Sequence, residues 1–531
     1  ARVFMAIIEL SPSESWTVCP TSLRFTGHFG PMLGLVAPGG LLTRVVTKVP
    51  LVARSGEVTR VGIPWCQAGE PGRGPRAEGE NMSAQSLGEQ TVNLLGRLVR
   101  LGCVNDLTAD SGGEERAADL LEDFFAGLPV SIERITPHPG RTSLVVTVEG
   151  ADPLSVGTPL TLLGHTDVVP VDEAKWTRDP FGAHIEDDVM WGRGTVDMLH
   201  LTAAMAVVTR EVARRAKNGN PPARSLVFVA AADEEARGGL GVPWIGEHRA
   251  DALPWDAALS EMGGAHIRGR LGGDSVVVVV GEKGAAQRRL HIRGDAGHGS
   301  VPLGRTSAVE RLSQVSAALS AARWPTATDE VWASFVRAFE FDDTTETSLI
   351  NGTYEGDYSE FGDLAAFAHA ISHVTVAQTV AHSGGPINVM PSHATLELDI
   401  RTLPGVDDDD VDAAIAAALG DLAEHVTIER LLSEAATASS TDTDLYRAIE
   451  AALTKRYPGA RVVPVLFPGG TDLRVARKRG GIGYGFGAVD SGASLGQVYS
   501  QLHAHDEHIA LADVRATVEV LHEVATTYLG A

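Results

Sequence analysis

Five places in the chain put carboxylates and imidazoles where apolar text would otherwise continue. "LLGHTDVVPV", residues 162–171, holds His165 and Asp167 two apart in a strand-like run. "WGRGTVDM" ends a glycine-rich turn with Asp197, and "AADEEARGGLG" sets Asp233, Glu234 and Glu235 at the end of an apolar strand. "LSEMGGAH" carries Glu261 after the apolar "DAALS", and "HAHDEH" supplies His503, His505, Asp506, Glu507 and His508. A run of carboxylates is normally a solvated face, but charges that close an apolar strand are costly unless something pairs with them. Imidazole nitrogen mixed with carboxylate oxygen is the donor set of borderline and hard divalent ions. Two such ions about 3.5–4 Å apart, bridged by one carboxylate, activate a water and polarise a carbonyl. A carboxylate left free of metal then serves as general base. The residue types thus lead either to a dinuclear hydrolase or to polar groups that simply find hydrogen bonds in a core.

Secondary structure has to bring these residues together. Strand alternation points His165 and Asp167 to one face, which would let Asp167 orient the imidazole. "SAQSLGEQTVNLLGRLVRLGCVN" and "GEERAADLLEDFFAGL" read as amphipathic helices, then "TSLVVTVEG" and "PLTLLGHTDVV" as strands. "LTAAMAVVTREVARRAK" is again a helix and "RSLVFVAAADEE" the next strand, an order that implies an α/β doubly wound sheet with helices on both faces. Ligands in such sheets sit outside the carboxyl ends of the strands, where the acidic clusters fall. A second unit follows: strand "AQRRLHIRG", helix "SAVERLSQVSAAL", a strand near 374–380, strand "HATLELDIRTL", helix "DVDAAIAAALGDL" and strand "HVTIERL". That βαββαβ order is the ferredoxin-like pattern, interrupted by a connection at 325–372 longer than it needs.

The domain reading is therefore a catalytic unit over 82–283 and 433–531 with the ferredoxin-like unit, 284–432, inserted into it. Residues 1–81 contain no Asp and only one Asn, at position 81, are rich in Pro and Gly, and hold no periodicity for long. They are expected to be a poorly ordered extension outside the functional fold, with Met82 a possible natural start.

Bulk properties narrow the partners. At 531 residues, two or three domains are expected. A formal net charge of −24 argues against nucleic acid or an anionic membrane surface as partner. Cys19, Cys66 and Cys103 lack CxxC spacing, which suits a reducing compartment and excludes a thiolate metal cluster. The most apolar N-terminal window, "PMLGLVAPGGLLTRVVTKVPLVA", is broken by Pro, Gly, Arg44 and Lys48, so neither a membrane span nor a secretory signal is expected. The expectation is a cytoplasmic enzyme.

Eight ordered motifs then carry a resemblance. "GHTDVVPV" with a later Trp and "DPF", "WGRGTVDM", "DEE" before "GGLG", "EKG", "GDAGHGSVP", "INVMP" before "LDIRTLPG", "GGTDLR" and "HAHDEHI" occur in that sequence. From about Met82 to the C-terminus they resemble the zinc-dependent family of carboxypeptidase G, acetylornithine deacetylase, succinyl-diaminopimelate desuccinylase and aminoacylases. The resemblance implies two zinc ions (cobalt or manganese being alternatives), one held by His165 and Glu261, the other by Glu235 and His503, with Asp197 bridging. It implies that Asp167 orients His165 and that Glu234 is the general base and proton donor. The inserted unit would be a lid and homodimerisation domain whose His298 reaches the partner subunit's site to stabilise the oxyanion. Asn388 and Arg401 would bind the substrate carboxylate, and Gly470, Thr471 and Asp472 would line the pocket. The implied substrate is a small peptide or an N-acyl amino acid, cleaved at an amide bond next to a free carboxylate.

Two departures and two rivals remain in view. After "DM" the family carries Lys or a small residue, whereas Leu199 and His200 stand here, which bears on the surroundings of Asp197. The His-x-x-Asp-Glu frame selects His503, with His505 as fallback. "GASLG", residues 492–496, matches GxSxG and would make Ser494 a nucleophile, although no apolar strand precedes it. A degenerate, non-catalytic metal-binding dimer is the other rival; it would have lost the general base, yet Glu234 is present.

Overall fold

In the computed structural model, residues 85–151 and 157–531 are described, so the expected N-terminal extension lies outside the described residues. A mixed ten-stranded sheet organises the first unit, and a separate five-stranded antiparallel sheet the second. The strands Leu160–His165 and Leu226–Ala231 are buried along their whole length and run parallel, with Ala257–Ser260 parallel on the other side of Leu160–His165. Strands covered on both faces read as continuous apolar runs rather than alternating ones, as "LTLLGH" and "LVFVAA" do. Between the first two runs the helix Leu199–Lys217, which is buried on all sides from Leu201 to Thr209. This βαβ unit, flanked by Leu87–Leu101 and Leu511–Leu529 packed against the same helix, fixes the carboxyl ends of three neighbouring strands side by side.

The first helix shows how local sequence sets its ends. Ser86 caps Leu87–Leu101 reciprocally with Glu89, and Gly102, at φ 55°, closes it in the left-handed conformation. At the outer edge of the large sheet, Ser131–His138 and Arg141–Val148 form an antiparallel pair, the second joined to Leu226–Ala231.

The second sheet has the strand order Thr375–Ser383, His393–Thr402, Arg288–Arg293, Val426–Arg430, all antiparallel. The helices Ala308–Ala321 and Asp408–Leu419 pack together on it, which completes the βαββαβ pattern. The 325–372 connection is not a loop. It forms the helices Glu330–Arg337, Asp343–Ile350 and Ala365–Ser372 around an aromatic cluster of Trp332, Phe335, Phe339, Phe341 and Phe361. Helix Glu330–Arg337 packs on the strand Arg461–Phe467 of the large sheet, so its Phe335 and Val336 share a core with Val463 and Val465. Among the described residues no helix is long and apolar enough to cross a membrane.

Candidate active site

Strand geometry corrects one expectation at once. The strand ends at His165, so Asp167 lies beyond it and strand alternation is not what joins the two. The chain turns, and His165 Nδ1 comes to 2.9 Å from the backbone carbonyl of Asp167 and 3.5 Å from its Oδ1. A carbonyl oxygen can only accept, so Nδ1 carries a proton, and Nε2 is the nitrogen that would lose its own to a metal ion. Nε2 faces Asp197 Oδ1 at 3.3 Å and Glu261 Oε2 at 3.8 Å.

The other side of Asp197 faces a second set. His503 Nε2 is 3.3 Å from Asp197 Oδ2 and 3.2 Å from Glu235 Oε2. Potential ligand atoms of His165, Asp197 and Glu261, and those of Asp197, Glu235 and His503, each lie within 4.8 Å of one another. One carboxylate therefore serves both sets, an oxygen to each. Both His503 and His505 are exposed, but only His503 has a ring nitrogen within this cluster.

Each member comes from the end of a structural element. His165 ends one parallel strand, Asp233–Glu235 follow the next strand, and Glu261 follows the third. Asp197 sits just before the helix Leu199–Lys217, and His503 in the loop leading to the strand His508–Ala510. The rule that α/β sheets gather ligands at strand carboxyl ends is met by all three strands.

Charge is crowded here. Burial and the neighbouring Asp197 push Glu261 up to about 8 and Glu235 up to about 7. Burial and the nearby Glu261 also raise Glu234 well above the ordinary carboxylate range. Hydrogen bonds to Asp197 and Glu235 lift His503 to about 10. Burial works against a charged His165, but Asp167, Asp197 and Glu261 outweigh it and raise its pKa well above the usual value. Glu235 Oε1 and Glu261 Oε2 are buried with no hydrogen-bond partner, a costly state unless a cation completes them. The 3.2–3.8 Å separations also resemble the edge of a tetrahedron, about 3.4 Å for metal–ligand bonds of about 2.1 Å. The donor set fits two divalent ions.

Two acidic residues outside the donor sets hold the frame. The Asp167 carboxylate accepts from the backbone N–H groups of Glu234 at 3.2 Å and Glu235 at 3.1 Å, so it orients that turn as well as His165. Glu507, named in the sequence only as part of a cluster, is fully buried and accepts from the N–H groups of Gly194, Val196 and Asp197 and from Arg193. It supplies the surroundings of Asp197 that the Leu199–His200 departure left open. The signal was present in its position within "HAHDEH", but not its partner. His200 is held neutral by burial, its pKa lowered to about 4.

The substrate-side residues divide. Thr471 and Asp472 are buried and Gly470 is exposed. Burial raises Asp472 to about 7 and its Oδ1 has no hydrogen-bond partner; its side chain does not cap the helix Leu473–Lys478. Arg401 is held by Asp399, two residues back on the same strand, at 2.9 and 3.2 Å. His298 and Asn388 are exposed, beside one another on the short pairing of Gly297–His298 with Val389–Met390. Among the described residues, no hydrogen bond or ion pair links His298 to the two donor sets within this chain; its Nδ1 lies 2.7 Å from Ser300 Oγ. Ser494 caps the helix Leu495–Tyr499 with Gln497 and donates to Asp363 Oδ2 at 2.9 Å. A capping hydroxyl bonded to a carboxylate and, among the described residues, to no histidine is not an activated nucleophile.

Fold and site together describe a hydrolase-type α/β protein with two facing metal-donor sets. Over residues 161–527 the sequence matches the family model described as Peptidase family M20/M25/M40, and the chain belongs to that family. It is 27% identical over 326 residues to a Dictyostelium discoideum protein named "Probable carboxypeptidase S-like 2", spanning 60% of this chain and 62% of the relative. It is 26% identical to an acetylornithine deacetylase of Erwinia tasmaniensis, over 57% of this chain and 65% of that protein. The chain thus matches somewhat under two thirds of the length of these relatives. Among solved structures, an M20 family metallo-carboxypeptidase from Sulfolobus solfataricus aligns with TM-score 0.61 at 20% identity, covering 83% of this chain and 100% of that one. Human carnosine dipeptidase 1 aligns with TM-score 0.56 at 15% identity, over 84% and 97%. At these identities the structures establish the shared fold.

Proposed function

We propose that the chain is a dinuclear metallohydrolase that cleaves an amide bond adjacent to a free carboxylate, in a small peptide or an N-acyl amino acid. The observation that carries this reading is Asp197, with one carboxylate oxygen toward His165 and Glu261 and the other toward Glu235 and His503. His165, Asp197 and Glu261 would hold one ion, and Asp197, Glu235 and His503 the other, zinc being the first choice. Two such ions lower the pKa of a water and polarise the scissile carbonyl.

The chain's own residues do the rest. Glu234 is half-buried among the donor sets without belonging to either, and its raised pKa suits a group that takes a proton from water and returns it to the leaving amine. Arg401 and Asn388 would anchor the substrate carboxylate, the arginine exchanging the fork it makes with Asp399 for one to substrate. Thr471 and Asp472 would line the pocket. The five-stranded unit acts as lid and dimerisation surface, its His298 completing the oxyanion site of the partner subunit. In support, His298 and Asn388 stand exposed beside Val301, Leu303 and Ile387, an apolar rim that water alone would leave uncovered. The acidic balance and three cysteines fit a cytoplasmic protein.

The names of the relatives, a carboxypeptidase, a desuccinylase and a deacetylase, favour this bond class. The test is a screen of the zinc-loaded full chain against dipeptides and N-acyl amino acids, with products identified by mass. Turnover of substrates bearing the free carboxylate, lost on their amidation, is expected; equal turnover of the amidated forms would overturn the reading.

A further inference from the structure

Behind the donor sets lies a buried polar chain that begins at Arg141. This side chain has no exposed surface, yet it donates to Glu114 Oε1 at 2.6 Å, Thr108 O at 2.7 Å, Ser111 Oγ at 2.9 Å and Asn105 Oδ1 at 3.1 Å. Gly112, at φ 79°, lets the loop pass over it, since a Cβ there would sit 2.2 Å from the guanidinium.

Asn105 is the junction. Its Oδ1 accepts from Arg141 and from the Leu107 N–H at 3.1 Å. Its Nδ2 donates to Asp167 Oδ2 at 2.8 Å and to Asp233 Oδ1 at 3.1 Å. Two donors and two lone pairs are all the amide has, so its orientation is fixed: oxygen to the cation, nitrogen to the two carboxylates. Both carboxylates act on one turn. Asp167 accepts from the Glu234 and Glu235 N–H groups. Asp233 adopts φ 66°, uncommon for a residue with a side chain, and is clamped from three sides. Its N–H donates to Glu114 Oε1, its Oδ2 accepts from the Leu240 N–H, and its Oδ1 takes the Asn105 amide.

We propose that Asn105, with Arg141 and Glu114 behind it, is a positioning group that aims the Glu234–Glu235 turn and thereby sets the affinity of the metal pair. The inference rests on the dinuclear reading of the site and adds residues from outside the strand ends to it. A carboxylate in place of the amide keeps the size of the side chain and turns the donor facing Asp167 and Asp233 into a third negative group. Groups that orient metal ligands typically change metal affinity 10- to 100-fold when altered.

The experiment is titration of the metal-free full chain with Co2+, followed by visible absorption and calorimetry. The wild-type chain is expected to take up two equivalents. Asn105→Asp is expected to bind at least one of them 10- to 100-fold more weakly, with an altered absorption band and a lowered guanidinium midpoint, since two buried carboxylates lose their donor. Glu114→Gln, which keeps an acceptor for Arg141, is expected to weaken the same equivalent less; if Asn105→Asp does not fold, this variant decides. Unchanged affinity and absorption in a folded variant would overturn the positioning role. Failure of the wild-type chain to bind two equivalents would instead overturn the dinuclear reading.

Discussion

Glu507 holds Asp197 by its backbone. Its Oε1 accepts from the N–H groups of Val196 at 2.6 Å and Asp197 at 3.1 Å, while Oε2 takes Arg193 at 2.7 Å. The carboxylate that serves both donor sets is thus positioned by a residue 310 places later in the chain. Glu507→Ala would leave the buried Arg193 without its counter-charge and three N–H groups without an acceptor. Loss of one partner of a buried ion pair costs about 3–5 kcal/mol. A clear fall in the guanidinium midpoint of the metal-free chain is expected, with weaker metal uptake; an unchanged midpoint would contradict the arrangement.

Glu234 separates metal binding from turnover. It belongs to neither donor set, so Glu234→Ala should still take up two metal equivalents by atomic absorption. Activity should fall by about 10²–10⁴, the usual contribution of a general acid–base. Wild-type turnover in that variant would end its assignment, while loss of metal would move it among the ligands. A serine mechanism predicts the reverse pattern, with chelators harmless and Ser494→Ala inactive.

How much of this was legible in the sequence depends on range. The parallel strands could be read because "LTLLGH" and "LVFVAA" are apolar runs that stop at charged residues, and the donor residues stand at those stops. Eight motifs in order made the family visible. Reading His165 and Asp167 as strand neighbours failed, since a period of two cannot show that the strand ends at His165 and the chain turns. The 325–372 helices give little signal because all three, at eight residues each, offer little more than two turns of periodicity and lean on aromatic packing instead. Asn105, Arg141 and Glu114 leave no local pattern at all. The bonds that join them to one another and to Asp167 and Asp233 span 27 to 128 positions, and only an arginine opening the apolar run "RTSLVVTV" hinted at them.

Lys283 predicts a pH dependence away from the metal site. Its ammonium is buried where the large sheet hands over to the second unit and donates to the carbonyls of Ala370 and His373 at 2.6 Å and to Thr375 Oγ1 at 3.0 Å. Burial, then the nearby Arg401, lower its pKa to about 7, against the opposing pull of Asp399. Between about 7 and the ordinary value of 10.5 the unfolded chain binds the extra proton, so stability rises with pH across that window. Below it both states are protonated and the slope vanishes. Lys283→Met should flatten the rise in guanidinium midpoint between pH 7 and 10; an equal slope in both proteins would assign the dependence to other groups.

Cys103 gives a check on burial in the first unit. Only 3% of its surface is exposed, and burial pushes the thiol up to about 12. The thiolate is the reactive form, so at pH 8 the native chain should leave Cys103 unalkylated by iodoacetamide, as read by peptide mass spectrometry. Modification should become complete in guanidinium. Rapid labelling of the native chain would show that the helices around it open readily.

The assignment of His298 to a neighbouring site yields the sharpest outcome. If each site takes Glu234 from one subunit and His298 from the other, Glu234→Ala and His298→Ala homodimers are each inactive. Mixed and allowed to exchange, half of the dimers become heterodimers in a two-fold assembly. In each heterodimer one site combines an intact Glu234 with the partner's intact His298, and the other site lacks both. Recovered activity should therefore approach about one quarter of wild type. Were His298 to act within its own chain, each subunit would carry one defect in its own site. Mixing would then restore nothing.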